Sequence, residues 1–374
     1  MPKTVPKVID LFCGAGGLSL GAARAGFEVA GAVDFDSRAM EIHAKNFPGA
    51  AHFTGDVAEL TAGSLKRLFG WPGESIAGII GGPPCQGFSN MGHRDRNDAR
   101  NLLFGHFFRI VNEAKPGFFL AENVPGILRK DYEPIVESSL ARVSKDYVIL
   151  DPIKICASDY GAPTTRTRVF FFGYLPDRMK GFNCASFVVP NDVTSVTVRD
   201  ALDGLPVDVD PHWQTEEQGW RRSDNPGTGY FATRLRGHVP RGVGDARALK
   251  RLRNEGLSSG TLGTVHSPEV TKRFASLRHG ELDGVSKARR LDPDGYCPTI
   301  RAGTGPDRGS YQAVRPIHPI VPRAITPREG ARLQGFPDWF TFSPSKWHSF
   351  RQIGNSVSPI MAERLMTVIR DSLH

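Results

Sequence analysis

The sequence predicts an α/β protein, built on a doubly wound mixed sheet and carrying a second, smaller, loop-rich domain. Over residues 1 to about 175, apolar runs of strand length alternate with amphipathic helical segments, a pattern typical of a sheet with helices on both faces. After that, residues 190–325 are rich in Pro, Gly, Arg and Asp and contain few periodic runs, which favours loops. A helical pattern returns at Thr326.

The elements are predicted from apolar periodicity and from the glycines and prolines that bound each run. The predicted strands are residues 8–12, 28–34, 76–81, 118–122 and 168–174. The predicted helices are residues 18–25, 38–46, 101–114, one that starts near Pro327, and 359–373. Ligands of such sheets bind at the carboxyl ends of the strands, so we expect the site there.

Length and composition exclude several classes of protein. The chain has 374 residues, 40% hydrophobic and 23% charged, which is ordinary for a globular protein of about two domains. No run of eighteen apolar residues occurs, and the first residues lack an apolar signal region. The five cysteines are widely spaced, with no Cys-x-x-Cys pair. This pattern disfavours a disulfide scaffold or a thiolate zinc site and favours a reducing compartment.

The net charge of +8 is concentrated in one segment. Residues 221–320 contain 18 Lys and Arg against 9 Asp and Glu, whereas the rest of the chain has 29 basic and 30 acidic residues. Such concentration suits a surface that binds a polyanion. From charge alone, a solvated basic face without a partner is an equally good interpretation.

A glycine-rich turn, residues 10–17, follows the first strand and opens a helix. Glycines there let backbone N–H groups approach a ligand closely, although a plain tight turn has the same pattern. Asp34 ends the second strand, where an acid can accept hydrogen bonds from ribose hydroxyls, and Phe35 is placed to pack on adenine. Asp56 follows the next strand region and could read an adenine amino group. The glycine spacing is not that of a dinucleotide site, which favours S-adenosylmethionine over NAD.

A cysteine loop, Gly81-Gly82-Pro83-Pro84-Cys85-Gln86-Gly87-Phe88-Ser89, follows another strand. Its prolines stiffen the backbone and its glycines permit sharp bends, so the thiol is held at the binding edge of the sheet. A lone cysteine is more often an inert packing residue, but such residues favour apolar strands.

Several motifs together resemble the DNA cytosine-C5 methyltransferase family of the bacterial restriction–modification type. Besides the glycine turn and the cysteine loop, they occur in the family's order over nearly the whole chain: Glu122-Asn123-Val124, Arg166-Thr167-Arg168, residues 328–337 and residues 352–357. One departure is Thr164, where the family's arginine motif usually begins with Gln, and it puts a contact near the target base in doubt. The related transfer-RNA methyltransferases carry a Cys-Phe-Thr tripeptide that is absent here, which favours DNA as substrate.

The resemblance implies a mechanism with four catalytic residues. Cys85 adds to C6 of a flipped-out cytosine, which makes C5 nucleophilic. Glu122 acts on ring N3 as an acid, although an acid before Pro125 is also typical of a helix cap. Arg166 and Arg168 alternate on a strand and are expected to face one side, where they orient Glu122 and hold the base and a phosphate. A surface ion-pair stripe is the alternative for this pair.

The resemblance also implies a Rossmann-like fold that binds S-adenosylmethionine without a metal. The residues expected to contact this cofactor are Phe12, Gly14, Ala15, Gly16, Gly17, Leu18, Asp34, Phe35, Asp56, Val57, Pro84, Leu103, Asn355 and Ser356. The residues expected to contact double-stranded DNA are Ser89, His93, Arg94, Arg96, Thr299 and Arg301. Residues 90–101 are predicted to form a loop that closes over DNA, with a plain solvated loop as the alternative.

The expected domains are a catalytic domain of residues 1–185 plus 326–374 and a target-recognition domain of residues 190–325. We expect a monomeric, cytoplasmic, nucleoid-associated bacterial enzyme that is paired with a restriction endonuclease; a solitary regulatory methylase would have the same sequence features. Two alternatives remain open at this point. One is a catalytically silent DNA-binding protein that kept the cofactor fold, and the other is an RNA cytosine methyltransferase.

Overall fold

The structure is a computed structural model that describes residues 5–70, 76–84, 101–179, 182–187, 193–224, 228–303 and 314–373. The strands are β1 Lys7–Leu11, β2 Glu28–Asp34, β3 Ala51–Thr54, β4 Gly78–Gly81, β5 Phe118–Asn123, β6 Val148–Ile149, β7 Ile153–Cys156, β8 Thr167–Tyr174, β9 Arg221–Arg222 and β10 Leu257–Ser258. The helices are α1 Gly17–Arg24, α2 Ser37–Asn46, α3 Ala62–Phe69, α4 Asn101–Ala114, α5 Glu133–Leu140, α6 Val198–Leu202, α7 Tyr230–Arg236, α8 Ala246–Glu255, α9 Pro268–Ser276, α10 Pro327–Leu333, α11 Lys346–Asn355 and α12 Pro359–Asp371.

One mixed sheet organises the first half of the chain. Its order is β3-β2-β1-β4-β5-β8-β6, and β7 also pairs with β8. Strands β1 to β5 run parallel, whereas β8 is antiparallel to β5, β6 and β7. The order reverses direction at β1, as it does in doubly wound sheets. The predicted doubly wound mixed sheet is therefore confirmed.

The sheet buries both of its faces, and β5 shows how. Phe118 and Leu120 pack into one hydrophobic cluster, while Phe119 and Ala121 pack into the cluster on the opposite face. Side chains alternate across a strand, so a strand buried on both sides must be apolar at every position. This explains why the strand was predicted from a continuous apolar run.

Caps define the helices on both sides of the sheet. The side chain of Asp36 accepts hydrogen bonds from the N–H groups of Arg38 and Ala39 at the start of α2. Thr326 and Glu329 form a capping box at α10, with Pro327 in the first turn. Each arrangement satisfies backbone donors that the helix itself leaves unpaired.

Helix α12 returns to the first half of the chain and packs against α1. A Cβ atom added to Gly21 would lie 2.3 Å from Cβ of Ala362, so the two helices are in close backbone contact. Arg370 Nη1 donates a hydrogen bond of 2.6 Å to the carbonyl of Ala25. Residues far apart in sequence therefore share one core.

Residues 193–303 contain helices α6 to α9, the short β9–β10 pair and extended loops. This segment contributes Phe231, Leu235, Leu291 and Ile300 to the same hydrophobic cluster as the sheet. The two-domain division at residues 185, 190 and 325 stays a prediction.

Candidate active site

The turns that follow β1, β2, β4 and β5 lie at one edge of the sheet. These strands are adjacent and parallel, with Leu11 paired to Val33 and to Gly81, and Gly81 paired to Ala121. Their carboxyl ends therefore carry the glycine turn, Asp34, the start of the cysteine loop and Glu122. The structure thus brings together at one edge the motifs that the sequence separates.

The glycine turn has a left-handed backbone at three positions. Phe12, Gly14 and Gly16 have φ angles of 62°, 55° and 101°. A Cβ atom on Gly16 would lie 2.3 Å from Cε2 of Phe47, so no larger residue fits there without a shift. The predicted neighbours Ala15, Gly17 and Leu18 are buried. The turn delivers the N-terminus of α1 to the edge of the sheet.

The acids predicted to read the cofactor also make local hydrogen bonds. Asp34 accepts from the N–H of Gly14 through Oδ2 and from the N–H of Asp36 through Oδ1, each at 2.8 Å. Burial raises the pKa of Asp34, although both of these N–H groups oppose the rise. Each carboxylate oxygen keeps a second lone pair that a ribose hydroxyl could use. Phe35 beside it is 77% exposed, an open aromatic face next to the turn.

Asp56 caps a short 3₁₀ turn, because its Oδ1 accepts a hydrogen bond of 2.8 Å from the N–H of Ala58. This is the helix-cap role that a lone acid often has, and it involves only one of the two carboxylate oxygens. Val57 is buried beneath it, and Leu103 on α4 is partly buried.

The C-terminal motif contacts the glycine turn. A Cβ atom on Gly17 would lie 2.3 Å from the carbonyl oxygen of Val357 and 3.1 Å from Cβ of Ser356. Gln334 Nε2 donates a hydrogen bond of 2.9 Å to the carbonyl of Ser356. This bond holds the C-terminal motif in place. Ser356 is buried and Asn355 is exposed. The structure therefore places the predicted pair beside the turn despite the distance in sequence.

Glu122 and Arg168 form an ion pair at the end of β5. Arg168 Nε lies 2.5 Å from Oε1 of Glu122, and each side chain is only 10% exposed. The other carboxylate oxygen, Oε2, lies 3.1 Å from where a Cβ atom on Gly82 would be, so it faces the start of the cysteine loop. The pair thus points a carboxylate, backed by a guanidinium, at the predicted place of the nucleophile.

Asn123 ties that loop to the sheet. Its side-chain Nδ2 donates a hydrogen bond of 3.3 Å to the carbonyl of Pro83, and its Oδ1 accepts 2.9 Å from the N–H of Val124. Both ends of the amide are therefore used. Asn123 stands inside the Glu-Asn-Val motif, but its sequence context predicts no separate role for it.

Arg166 lies just before β8, which begins at Thr167, and it is buried. Its Nη1 donates a hydrogen bond of 3.4 Å to the carbonyl of Ile300. Arg168 instead contacts Glu122. The two arginines therefore have different described partners, and Arg166 connects the sheet to the segment that carries Thr299 and Arg301.

Thr164, the position that departs from the family pattern, is buried at the same junction. Its backbone forms a parallel bridge with Cys297, and the N–H of Thr165 donates 3.0 Å to the carbonyl of Cys297. Among the described residues, none makes a hydrogen bond with the Thr164 hydroxyl. Thr299 and Arg301, on either side of buried Ile300, are exposed.

Several predicted site residues lie outside the described residues: Cys85, Ser89, His93, Arg94 and Arg96, with the loop of residues 90–100. Pro84, the last described residue before Cys85, is partly buried. In the described part of the chain, no three His, Cys, Asp or Glu side chains are grouped as metal ligands would be. No helix in the described ranges is long and apolar enough to cross a membrane.

A doubly wound α/β sheet that gathers a glycine turn, a strand-end acid and a buried acid–arginine pair at its carboxyl edge belongs to the class of α/β proteins that bind ligands at that edge. A family model for C-5 cytosine-specific DNA methylases matches residues 6–371. The chain therefore belongs to the C-5 cytosine-specific DNA methylases and is a DNA (cytosine-5-)-methyltransferase.

Known proteins agree with this assignment. The chain is 40% identical to the type II methyltransferase M.XorII of Xanthomonas oryzae pv. oryzae over 96% of this chain and 83% of that one. It is 32% identical to the type II methyltransferase M.DdeI of Desulfomicrobium norvegicum, over 96% and 87%. A crystal structure described as a DNA modification methyltransferase of an E. coli prophage matches with a TM-score of 0.89 and 50% identity, over 98% and 99%. The Dnmt2 methyltransferase of S. pombe, at 18% identity, 98% coverage of both chains and a TM-score of 0.62, shares the fold.

Proposed function

We propose that this enzyme transfers a methyl group from S-adenosylmethionine to C5 of a flipped-out cytosine in a specific duplex DNA sequence, through a covalent adduct between Cys85 and C6. The observation that carries the proposal is the buried Glu122–Arg168 pair facing Gly82, where the cysteine loop begins. Because Asn123 also holds Pro83, strand β5 positions both Glu122 and the start of the cysteine loop.

The cofactor fits the turn at the end of β1. The left-handed Gly14 has no atom within 4 Å of where its Cβ would be, so the turn is open on that side. Asp34 would accept the ribose hydroxyls, Phe35 would cover the adenine, and Ser356 would close the turn from the C-terminal side. When bound, S-adenosylmethionine supplies an electrophilic methyl group. Phe12, Ala15 to Leu18, Asp56, Val57, Pro84, Leu103 and Asn355 would line the rest of the site.

The chain's own residues prepare the base. The Cys85 thiolate adds to C6 and forms a C–S bond, and the electron pair of the C5–C6 double bond makes C5 nucleophilic. A proton shared between Glu122 and ring N3 stabilises the charge that develops on the ring. Arg168 holds Glu122 in place from behind, and Arg166 holds the loop that carries Ile300. After methylation, loss of the C5 proton lets the C–S bond break and releases the Cys85 thiolate.

Duplex DNA would contact the basic segment. The excess positive charge lies in residues 221–320, and Thr299 and Arg301 are exposed beside the carbonyl that Arg166 holds. Phosphate contacts would position this target-recognition region and side chains in the major groove would read the sequence. Extruding the cytosine costs a few kcal/mol of stacking and pairing, and Ser89, His93, Arg94 and Arg96 are proposed to hold the strand around it.

The names of the relatives support a role in restriction–modification. We propose a monomer in the bacterial cytoplasm that protects host DNA from a partner endonuclease. Bisulfite sequencing of a plasmid propagated with the gene tests this role, because a modification enzyme leaves one sequence methylated at nearly every copy. Scattered or absent methylation would contradict it.

The covalent step is tested with a pool of duplexes that contain 5-fluorocytosine, which has no C5 proton to lose and so traps the adduct. We expect a complex that survives denaturation, that requires S-adenosylmethionine and that maps to Cys85. Cys85→Ala should abolish it and retain cofactor binding, whereas Cys184→Ala, at an exposed cysteine, should behave as the wild type. No adduct on any duplex would overturn the mechanism; an adduct only on RNA would support the RNA alternative.

A further inference from the structure

A chain of hydrogen bonds leads from the glycine turn toward solvent. Ser19 Oγ donates 2.6 Å to Oδ2 of Asp10, His43 Nε2 lies 3.0 Å from Ser19 Oγ, and His43 Nδ1 lies 2.9 Å from Nε2 of His52. Asp10, Ser19 and His43 are at most 1% exposed, whereas His52 is partly exposed. The catalytic steps described above use none of these four side chains.

We propose that Ser19, His43 and His52 form a proton path that lets the buried Asp10 carboxyl ionise when the sulfonium cofactor binds. The inference rests on the proposed use of S-adenosylmethionine. In this proposal the ionised Asp10 carboxylate provides a negative charge that balances the positive charge of the cofactor.

The setting of Asp10 explains why a large fraction of the molecules hold a proton on this carboxyl before the cofactor binds. Its pKa is raised to about 7, chiefly by burial and also by the nearby Asp34, and the Ser19 hydrogen bond opposes this rise. Its Oδ1 is buried with no hydrogen-bond partner among the described residues. A carboxyl in this setting is about half protonated at neutral pH, and a nearby cation would remove the proton.

The groups around Asp10 leave few other sources of charge. Cys13 in the turn has its thiol pKa raised well above the ordinary value, first by burial and then by Asp34 and Asp10, so it stays neutral. On β4, the partner of Asp10 is Ile80, which is apolar. On α2 and β3, burial lowers the pKa of both His43 and His52. Asp34 on β2 is therefore the one acid that acts on Asp10 directly among the described residues.

The proton balance follows from the donor order. Ser19 donates to Asp10 when that carboxyl is ionised. When Asp10 is protonated the order is reversed: its O–H donates to Ser19, the Ser19 hydroxyl donates to His43 Nε2, and His43 Nδ1–H donates to His52 Nε2. When each of these three protons moves to its acceptor, the direction of all three hydrogen bonds is reversed. Asp10 then becomes a carboxylate and His52 an imidazolium. His52 then releases its Nδ1 proton to solvent. The low pKa of His52 favours that release.

The equilibrium is tested by calorimetric titration at pH 7 in buffers of different ionisation enthalpy, with S-adenosylmethionine and S-adenosylhomocysteine. The two ligands share an amino acid moiety and differ in the sulfonium charge. We expect the charged ligand to release up to about half a proton more than the neutral one. Its affinity should fall by no more than about tenfold for each pH unit below 7. Equal proton release by the two ligands would overturn the proposal.

The path is tested by stopped-flow mixing with a pH indicator. His52→Gln keeps both an acceptor and a donor for His43 Nδ1 but cannot pass a proton, so it should release the same number of protons more slowly. Release at the wild-type rate would show that the proton leaves by another route. His212→Gln, at an exposed histidine in the segment of residues 193–303, is the matched control.

A variant of Asp10 completes the set. Asp10→Asn should remove the difference in proton release between the two ligands, and a circular dichroism spectrum establishes whether it folds. If Asp10→Asn fails to fold, the His52→Gln kinetics still decide the matter. Failure of the wild-type protein to bind either ligand would instead refute the proposed function, which is a distinguishable result.

Discussion

Asn123 donates its side-chain amide to the carbonyl of Pro83, two residues before Cys85. The bond links the strand that carries Glu122 to the start of the loop that carries the proposed nucleophile.

Asn123→Ala should lower kcat about fivefold with the dissociation constant of the cofactor unchanged. A hydrogen bond of this kind contributes about 1 kcal/mol, and about 1.4 kcal/mol of barrier is tenfold in rate. The measurement is steady-state methyl transfer to duplex DNA. Asn112→Ala, where the amide oxygen accepts a hydrogen bond from exposed Lys115, is the control. A wild-type kcat for Asn123→Ala would show that the loop is held by other contacts.

The Glu122–Arg168 pair predicts a non-additive double-mutant cycle. Glu122→Gln should lower kcat at least about 100-fold, because general acid catalysis contributes about that much or more. Arg168→Ala leaves Glu122 buried without its described ionic partner and should cost about 3 kcal/mol of unfolding free energy. In the double variant the loss of unfolding free energy should be smaller than the sum of the losses in the two single variants, since each single change already removes the same interaction. Additive losses in urea unfolding would mean that the pair is not coupled.

Gly16→Ala should abolish cofactor binding and lower the melting temperature, because both the φ of 101° and the contact with Phe47 exclude a Cβ atom. Gly63→Ala is the matched control. Its nearest neighbour would be 3.7 Å away, and alanine on the exposed surface of α3 should stabilise by about 0.5 kcal/mol. Titration calorimetry and thermal unfolding measure both effects. Retained binding by Gly16→Ala would place the cofactor elsewhere.

His318 predicts a loss of stability in weak acid. Burial lowers its pKa to about 4, and its Nδ1 must stay unprotonated because it accepts from the N–H groups of Ile320 and Val321. The unfolded chain binds the proton near pH 6.5, so stability is full above that pH and falls between pH 6.5 and 4. From pH 7 to 5 the loss should be about 2 kcal/mol.

Urea unfolding at the two pH values measures this loss. His318→Gln should remove about 2 kcal/mol of pH dependence, whereas His238→Gln, at an exposed histidine, should retain it. An unchanged pH dependence in His318→Gln would assign the effect to other groups.

The sheet and its site were predictable to different degrees. The strand at residues 28–34 and the helix at residues 101–114 have the predicted bounds, because continuous apolar or amphipathic runs depend only on local sequence. The two-residue strand Val148–Ile149 and the antiparallel course of β8 were not predicted, since pairing partners and direction are set by tertiary contacts. Helix α8 was missed because half of its residues are charged and only Ala248 in it is buried.

Motifs in the sequence predicted the site residues, but they did not predict the hydrogen bonds that connect those residues. The positions of Glu122 and Asp34 came from strand ends, which a sequence displays. The Ser19–His43–His52 chain gave no motif, because its members are separated by 24 and 9 positions. A serine between two leucines at the start of α1 was the one available hint that a polar group is buried there.

The close contact of α12 with α1 has a consequence for the making of the protein. On the ribosome, α1 and the glycine turn emerge long before Ala362 and Ser356. The turn therefore lacks its contact with the C-terminal segment while residues 221–320 are synthesised. The edge of the sheet that carries the candidate site is therefore completed last, and a chain that ends before Ser356 lacks the contact that covers Gly17.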